Sequence, residues 1–321
     1  MTSDFKFERI MFTVFTLVCL ACAPAPPLPE PVPIPAPSPN ESAATPPPPG
    51  EQKADAKQKP DETATQEQFI EYRYYPTAKD ALLDIVTASK PKVIGFGEYH
   101  AQTGNSVQSA LSHFTNELLP AISSVTSDIV VEAMVTEGNC FELEQQVTTE
   151  VKEDTQRPDE TVDEVSILFE QARAKGVIPH PITMTCEDHQ SIYGEEVDYE
   201  KLLKLIGNKL LEETTRILNA RASEYRENSR PLIAVYSGAI HNDAHPQKEW
   251  RRYAFGQRLQ KQLPQNKYVE VDLIVPELVR DISFIQDAQW FPLLKDKVSS
   301  KKHLLIRRSA TNFILVFPGN L

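Results

Sequence analysis

Two short segments concentrate side chains able to do acid–base or metal chemistry. Val93-Ile94-Gly95-Phe96-Gly97-Glu98-Tyr99-His100 and Ile233-Ala234-Val235-Tyr236-Ser237-Gly238-Ala239-Ile240-His241 are both apolar runs that close in Gly-x-x-His. Glycine lets the backbone turn sharply as it leaves a strand. The histidine three residues on is then presented at the strand's carboxyl end, where open α/β sheets build their sites. Glu98 lies inside the first motif, and Glu132 closes the intervening run Ile129-Val130-Val131, so both are expected at the same rim. Two imidazoles with two carboxylates suit a divalent metal, Zn, Mn or Fe, with His100 and His241 as neutral nitrogen ligands and Glu98 or Glu132 beside them. The other carboxylate would act as general base while a metal-bound water attacks an ester or amide carbonyl. Spacing leaves open which Glu does which. Because His100, His241 and Tyr99 are all residue types able to ligate haem iron, the alternative is a cleft that binds haem and does no hydrolysis.

Other candidates stand further back. Glu187, Asp188 and His189 follow a third apolar run and are expected near the same rim, whereas His180 precedes that run. His113 falls within a helical pattern, as a surface or core-edge residue. His245 is four residues after His241, but Pro246 disfavours helical geometry there. Asn242 and Asp243 are expected to cap a following helix. Cys140 and Cys186 each follow a run ending at the rim; they are either a disulfide or two buried free thiols. A thiol nucleophile is disfavoured, since the carboxylate of Glu187 next to Cys186 raises a thiol's pKa.

The elements that must position these residues alternate. Helical spacing marks Ala78–Ser89, Asn105–Val125, Phe141–Lys152, Thr161–Lys175, Tyr199–Arg226 and Trp250–Leu263. Buried-strand runs lie at Lys92–Gly97, Asp128–Glu132, Ile182–Cys186, Pro231–Ser237 and Lys267–Val275, and Leu304–Arg308 with Asn312–Phe317 reads as a closing hairpin. This order predicts a three-layer α/β/α fold around a mainly parallel sheet.

Of the 26 prolines among 321 residues, fourteen fall between Pro24 and Pro60. Three regions follow: 1–21, a lipoprotein signal peptide; 22–67, a disordered Pro-rich linker; and 68–321, the α/β domain. Lys6 and Arg9 precede the uncharged stretch Ile10–Ala21, which suits a signal-peptide core and is too short to span a bilayer. Leu20-Ala21-Cys22 resembles a bacterial lipobox, with Cys19 where an aliphatic residue is usual; acylated Cys22 would then anchor the chain in lipid. The alternative is an ordinary secretory signal cut near Ala23 or Ala25. Ala23 after the lipid-bearing cysteine favours the outer membrane. From Ala23 to Gly50, polyproline II at ~3.1 Å per residue reaches roughly 85 Å, a stiff tether. The formal net charge of -12 speaks against nucleic acid as a partner.

Taken together, Gly97-Glu98-Tyr99-His100, Glu132 and Gly238-Ala239-Ile240-His241 resemble the superfamily that joins erythromycin esterases, the ChaN haem-binding lipoproteins and the TIKI/TraB proteins, over about Lys92 to Asp243. The resemblance implies a functional cleft of Glu98, His100, Glu132 and His241. It also implies one of two activities: hydrolysis of a small-molecule or peptide substrate, as in the metal-dependent peptidases of the group, or haem binding. The lipid anchor is reminiscent of the ChaN branch. Against haem, it needs a broad apolar slot, and the sequence leaves open whether two protomers pair as a homodimer to form one.

Overall fold

Apolar runs too hydrophobic to face water on either side settle into the middle of a sheet, and here they pair in parallel. The computed structural model describes residues 16–17, 71–101, 107–224 and 230–321. Its strands are β1 (Thr16–Leu17), β2 (Glu71–Tyr75), β3 (Val93–Glu98), β4 (Thr126–Glu137), β5 (Ile178–Thr185), β6 (Leu232–Gly238), β7 (Tyr268–Ile274), β8 (His303–Arg307) and β9 (Asn312–Val316). They line up as β1-β4-β6-β3-β7-β9-β8-β2, with β5 also paired to β4. The pairs β4–β6, β6–β3, β3–β7 and β7–β9 are parallel. Antiparallel β8 returns on β9 as the expected hairpin, and β2 adds to β8. Most of the signal-like stretch, together with Cys22 and the Pro-rich segment, lies outside the described residues. No helix among the described residues is long and apolar enough to cross a membrane.

Every residue of β3 and β6 is buried, so alternate side chains supply two cores. Ile94, Phe96, Ala234 and Tyr236 pack with Leu82 of helix Ala78–Ser89 and Phe169 of helix Glu160–Ala174. Val93, Ile233 and Val235 pack with Leu202 and Ile206 of helix Tyr199–Glu224. Each fully buried side chain of this size contributes roughly 1.5–3 kcal/mol. The fold is therefore α/β, with a mainly parallel sheet between helices.

Several boundaries depart from the sequence pattern. The helix expected over 105–125 begins at Ala110, its residues 105–106 lying outside the described set, and it widens into a π-turn at Phe114–Leu118. Pro120 explains the widening: without an N–H and with its ring against the preceding turn, it breaks the regular ladder. β5 starts four residues earlier than expected, through Pro179 and Pro181, which an edge position tolerates. The helix expected from Trp250 starts only at Phe255: residues before it close three-residue turns, and the Gln257 N–H, which would bond the Tyr253 carbonyl in a helix, donates to the Asp243 carbonyl at 3.1 Å. β2 was not expected, having no alternation and four exposed residues.

Candidate functional site

The candidate residues gather at the carboxyl ends of β3 and β6, where Glu98 stands level with Gly238. Gly97 is needed for close approach rather than for a turn. A Cβ there would lie 2.8 Å from the Ala239 Cα and 2.5 Å from Asp272 Oδ1, so the missing side chain lets the short helix Ala239–Asn242 lie against β3. Asn242 then staples the two strands, its Nδ2 donating to the Phe96 carbonyl at 2.7 Å and to Ser237 Oγ at 2.8 Å. It does not cap the next helix, which begins at Phe255. Asp243 instead accepts from the His245 N–H at 2.7 Å.

Glu132 arrives by a different route from the one its sequence suggested. β4 does not end there but runs on to Glu137. Its pairing with β6 stops at Val131, and its register with β5 shifts between Val131 and Met134. An irregularity of this kind re-aims a side chain, and Glu132 Oε2 accepts the Gly238 N–H at 2.8 Å.

The two imidazoles are held alike. His100 Nδ1 is 2.5 Å from Glu98 Oε1, and the Tyr236 hydroxyl donates to the other oxygen of Glu98. His241 Nδ1 is 3.0 Å from the Tyr253 carbonyl. Carboxylate and carbonyl only accept, so each Nδ1 carries a proton, and on His241, where burial favours the neutral ring, Nε2 is left with its lone pair. Among the described residues, the buried atoms His100 Nε2, His241 Nε2 and Glu132 Oε1 have no hydrogen-bond partner, and His241 Nε2 lies 4.0 Å from Glu132 Oε1. Burial pushes the His241 pKa down, with the Glu132 charge partly offsetting it. Burial pushes Glu98 up, but His100, the Tyr236 hydroxyl and Arg157 outweigh it and leave the carboxyl below its ordinary value.

Arg157 was missed by sequence reasoning. It is 8% exposed, and its charge interacts with Glu98, Glu132 and Tyr236. No histidine or glycine motif marks it; the local signal is Gln156-Arg157-Pro158 between two helical patterns.

The remaining candidates do not join this group. β4 and β5 pair as far as Glu137 and Thr185, which carries the end of β5 past Glu132. Glu187 is exposed. Asp188 closes a capping box with Thr185 and pairs with Lys209 at 2.6 Å. His189 is buried against Thr136, 3.1 Å away. Tyr99 is half-buried, its ring tilted against Phe284 at 6.2 Å; burial, then the charges of Asp272 and Asp243, hold its hydroxyl well above its ordinary pKa. His113 pairs with Glu117 at 2.6 Å, and His180 sits between Asp128 and Glu213. Cys140 and Cys186 form a disulfide with Cα atoms 5.4 Å apart.

Two surface cavities, of 490 and 610 Å³, lie elsewhere, against helix Phe141–Thr155 and around Lys248–Arg252. Among the described residues, no group of three or more His, Cys, Asp or Glu side chains is placed to hold a metal ion as it stands.

No protein-family model and no curated protein matches the chain. Among solved structures it is similar to the type III effector HopBA1, with 12% identity and a TM-score of 0.39 over 77% of this chain and 98% of that one.

Proposed function

We propose that the cleft hydrolyses an ester or amide bond, with His100 as general base. The observation that carries this reading is the chain Tyr236–Glu98–His100, which holds the imidazole by its Nδ1 and leaves its Nε2 buried without a partner among the described residues. A carboxylate that fixes a ring's tautomer in this way is the arrangement of an activated base. His100 would take the proton of an attacking water on its Nε2 and then return that proton to the leaving group, while the His241 Nε2 beside Glu132 accepts a hydrogen bond from the water. The substrate is a small molecule or peptide. Anchoring through acylated Cys22 would place the reaction at the cell envelope. The direct test is hydrolysis of p-nitrophenyl butyrate and a p-nitroanilide by the full chain, compared with His100→Gln.

A second reading rests on the three unpartnered acceptors. Among the described residues His100 Nε2, His241 Nε2 and Glu132 Oε1 are buried without a hydrogen-bond partner, a costly arrangement that a divalent cation, Zn, Mn or Fe, would relieve. Glu98 and the Tyr253 carbonyl already hold the outer nitrogens, as metal-ligating histidines require. Such an ion would supply polarisation of the carbonyl and acidification of water, and the three side chains would have to draw closer to hold it. Haem finds less support, since the environment of Tyr99 opposes the phenolate that iron would select.

A further inference from the structure

His241 is held from outside the site by a carbonyl that a glycine admits. Its imidazole is wholly buried, and its Nδ1 lies 3.0 Å from the Tyr253 carbonyl oxygen. That oxygen rests on helix Tyr199–Glu224 at Gly207, where a Cβ would meet it at 2.2 Å and the Tyr253 carbonyl carbon at 3.0 Å. Glycine inside a helix is less favourable than alanine. Its place in the body of a 26-residue helix therefore needs a reason, and the carbonyl supplies one.

The same face of the helix holds the turn on either side of that carbonyl. Glu200, Gly207 and Asn208 are spaced by whole helical turns and so point the same way. Arg252 donates to Glu200. Arg258 Nη1 donates to Asn208 Oδ1 at 2.6 Å, and its Nε to the Ala254 carbonyl at 3.2 Å. The Tyr253 N–H donates to the Trp250 carbonyl at 3.0 Å. The end of a flexible side chain swings aside at little cost, but a backbone carbonyl braced at both ends does not. An alanine methyl at Gly207 would force it to move by about 1 Å, and a misplacement of about that size far from the chemistry can cost about 100-fold in rate. His241 Nδ1 would lose its acceptor, and with it the contact that sets the ring's orientation and tautomer.

Resting on the hydrolase reading above, we propose that Gly207 is a positioning residue for that reaction: by letting the Tyr253 carbonyl reach the helix surface, it aims the His241 ring. The competing role is packing alone, in which Gly207 only lets helix Tyr199–Glu224 approach residues 250–254.

Two readouts on the full chain separate these roles. One is steady-state hydrolysis of p-nitrophenyl butyrate. The other is imidazole nitrogen NMR of histidine-labelled protein, the His241 signals being those lost in His241→Gln. Gly207→Ala is expected to lose about tenfold to 100-fold in kcat with KM within about threefold, and its His241 Nδ1–H signal is expected to shift or to divide between tautomers. On a His241→Gln background the same substitution is expected to cost no more than about threefold, because the ring it misplaces is already gone. Gly194→Ala, at a glycine with nothing within 4 Å of its Cβ position, is expected to leave both readouts unchanged. Replacing the Tyr253–Ala254 amide by an ester weakens the carbonyl as an acceptor without adding bulk. It is expected to reproduce the loss and the signal change, and it decides the matter should Gly207→Ala fail to fold. A folded Gly207→Ala chain with kcat within about threefold of the parent and an unmoved His241 signal overturns the proposal. So does an equal loss with His241 already replaced, or an ester chain that matches the parent in both readouts. A parent inactive on ester and anilide alike overturns the hydrolase reading, and the His241 signal then decides Gly207 alone: unmoved in Gly207→Ala, it overturns the positioning role as well.

Discussion

His241 points its Nε2 at Glu132 Oε1 across 4.0 Å while its Nδ1 is held by the Tyr253 carbonyl. One bond outside the cleft thus fixes which nitrogen faces inward. Replacing His241 with Gln keeps most of the volume but loses the ring's inward lone pair. Hydrolysis should fall by about 100-fold or more, with a melting temperature close to the parent's. Rates within about threefold would remove His241 from the reaction.

Gly97 admits helix Ala239–Asn242 to the surface of β3. Gly97→Ala places a Cβ 2.8 Å from the Ala239 Cα, and backbone cannot swing aside as a flexible side chain can. The expected cost is about 1–3 kcal/mol in denaturant unfolding, together with lost hydrolysis. An unchanged midpoint would mean that the close approach is not needed.

The two Gly-x-x-His motifs were legible because glycine and histidine at the ends of apolar runs have few other uses. The parallel sheet was legible because β3, β6 and β7 are apolar almost throughout. Glu132 was placed in the cleft for an incomplete reason. Its strand continues for five more residues, and the register shift that turns the side chain depends on β5 and β6, which are far away in sequence. Arg157 was invisible for a similar reason: an arginine in an interhelical turn reads as a solvated surface charge until the fold buries it. Glu187 and Asp188 looked like rim residues because β5 was expected to stop level with Glu132. Instead Asp188 serves as a cap.

Asp272 is 5% exposed with its Oδ1 unpartnered. Burial lifts its pKa to about 7, Arg308 opposing. A carboxyl whose folded pKa is raised favours the folded state least when ionised. Its cost therefore grows as pH rises from about 4 and levels off above about 7. Asp272→Asn should raise the melting temperature at pH 8, by the equivalent of about 1–3 kcal/mol, and have little effect near pH 4. The opposite ordering would show that Asp272 is stabilised as the anion.

Cys140 and Cys186 are 46 residues apart, and closing such a loop contributes about 4 kcal/mol in the chain-entropy model. Reduction, or the pair Cys140→Ala with Cys186→Ala, should lower the denaturant midpoint accordingly. No change on reduction would mean that the bond is not formed in solution.

Cys22→Ser should release the chain from the membrane fraction if acylation holds it there. Undiminished sedimentation with membranes would contradict the anchor.

The most direct test of the central claim is the rate of ester and anilide hydrolysis by the full chain, by His100→Gln and by Glu98→Gln, each before and after removal of divalent metal. The predicted result is measurable turnover in the parent that survives metal removal, with about 100-fold or greater loss in both variants. Turnover that disappears with the metal and returns with Zn, Mn or Fe would contradict His100 as the base and favour the cation reading. Turnover equal in all three chains would contradict the cleft as the site of the chemistry.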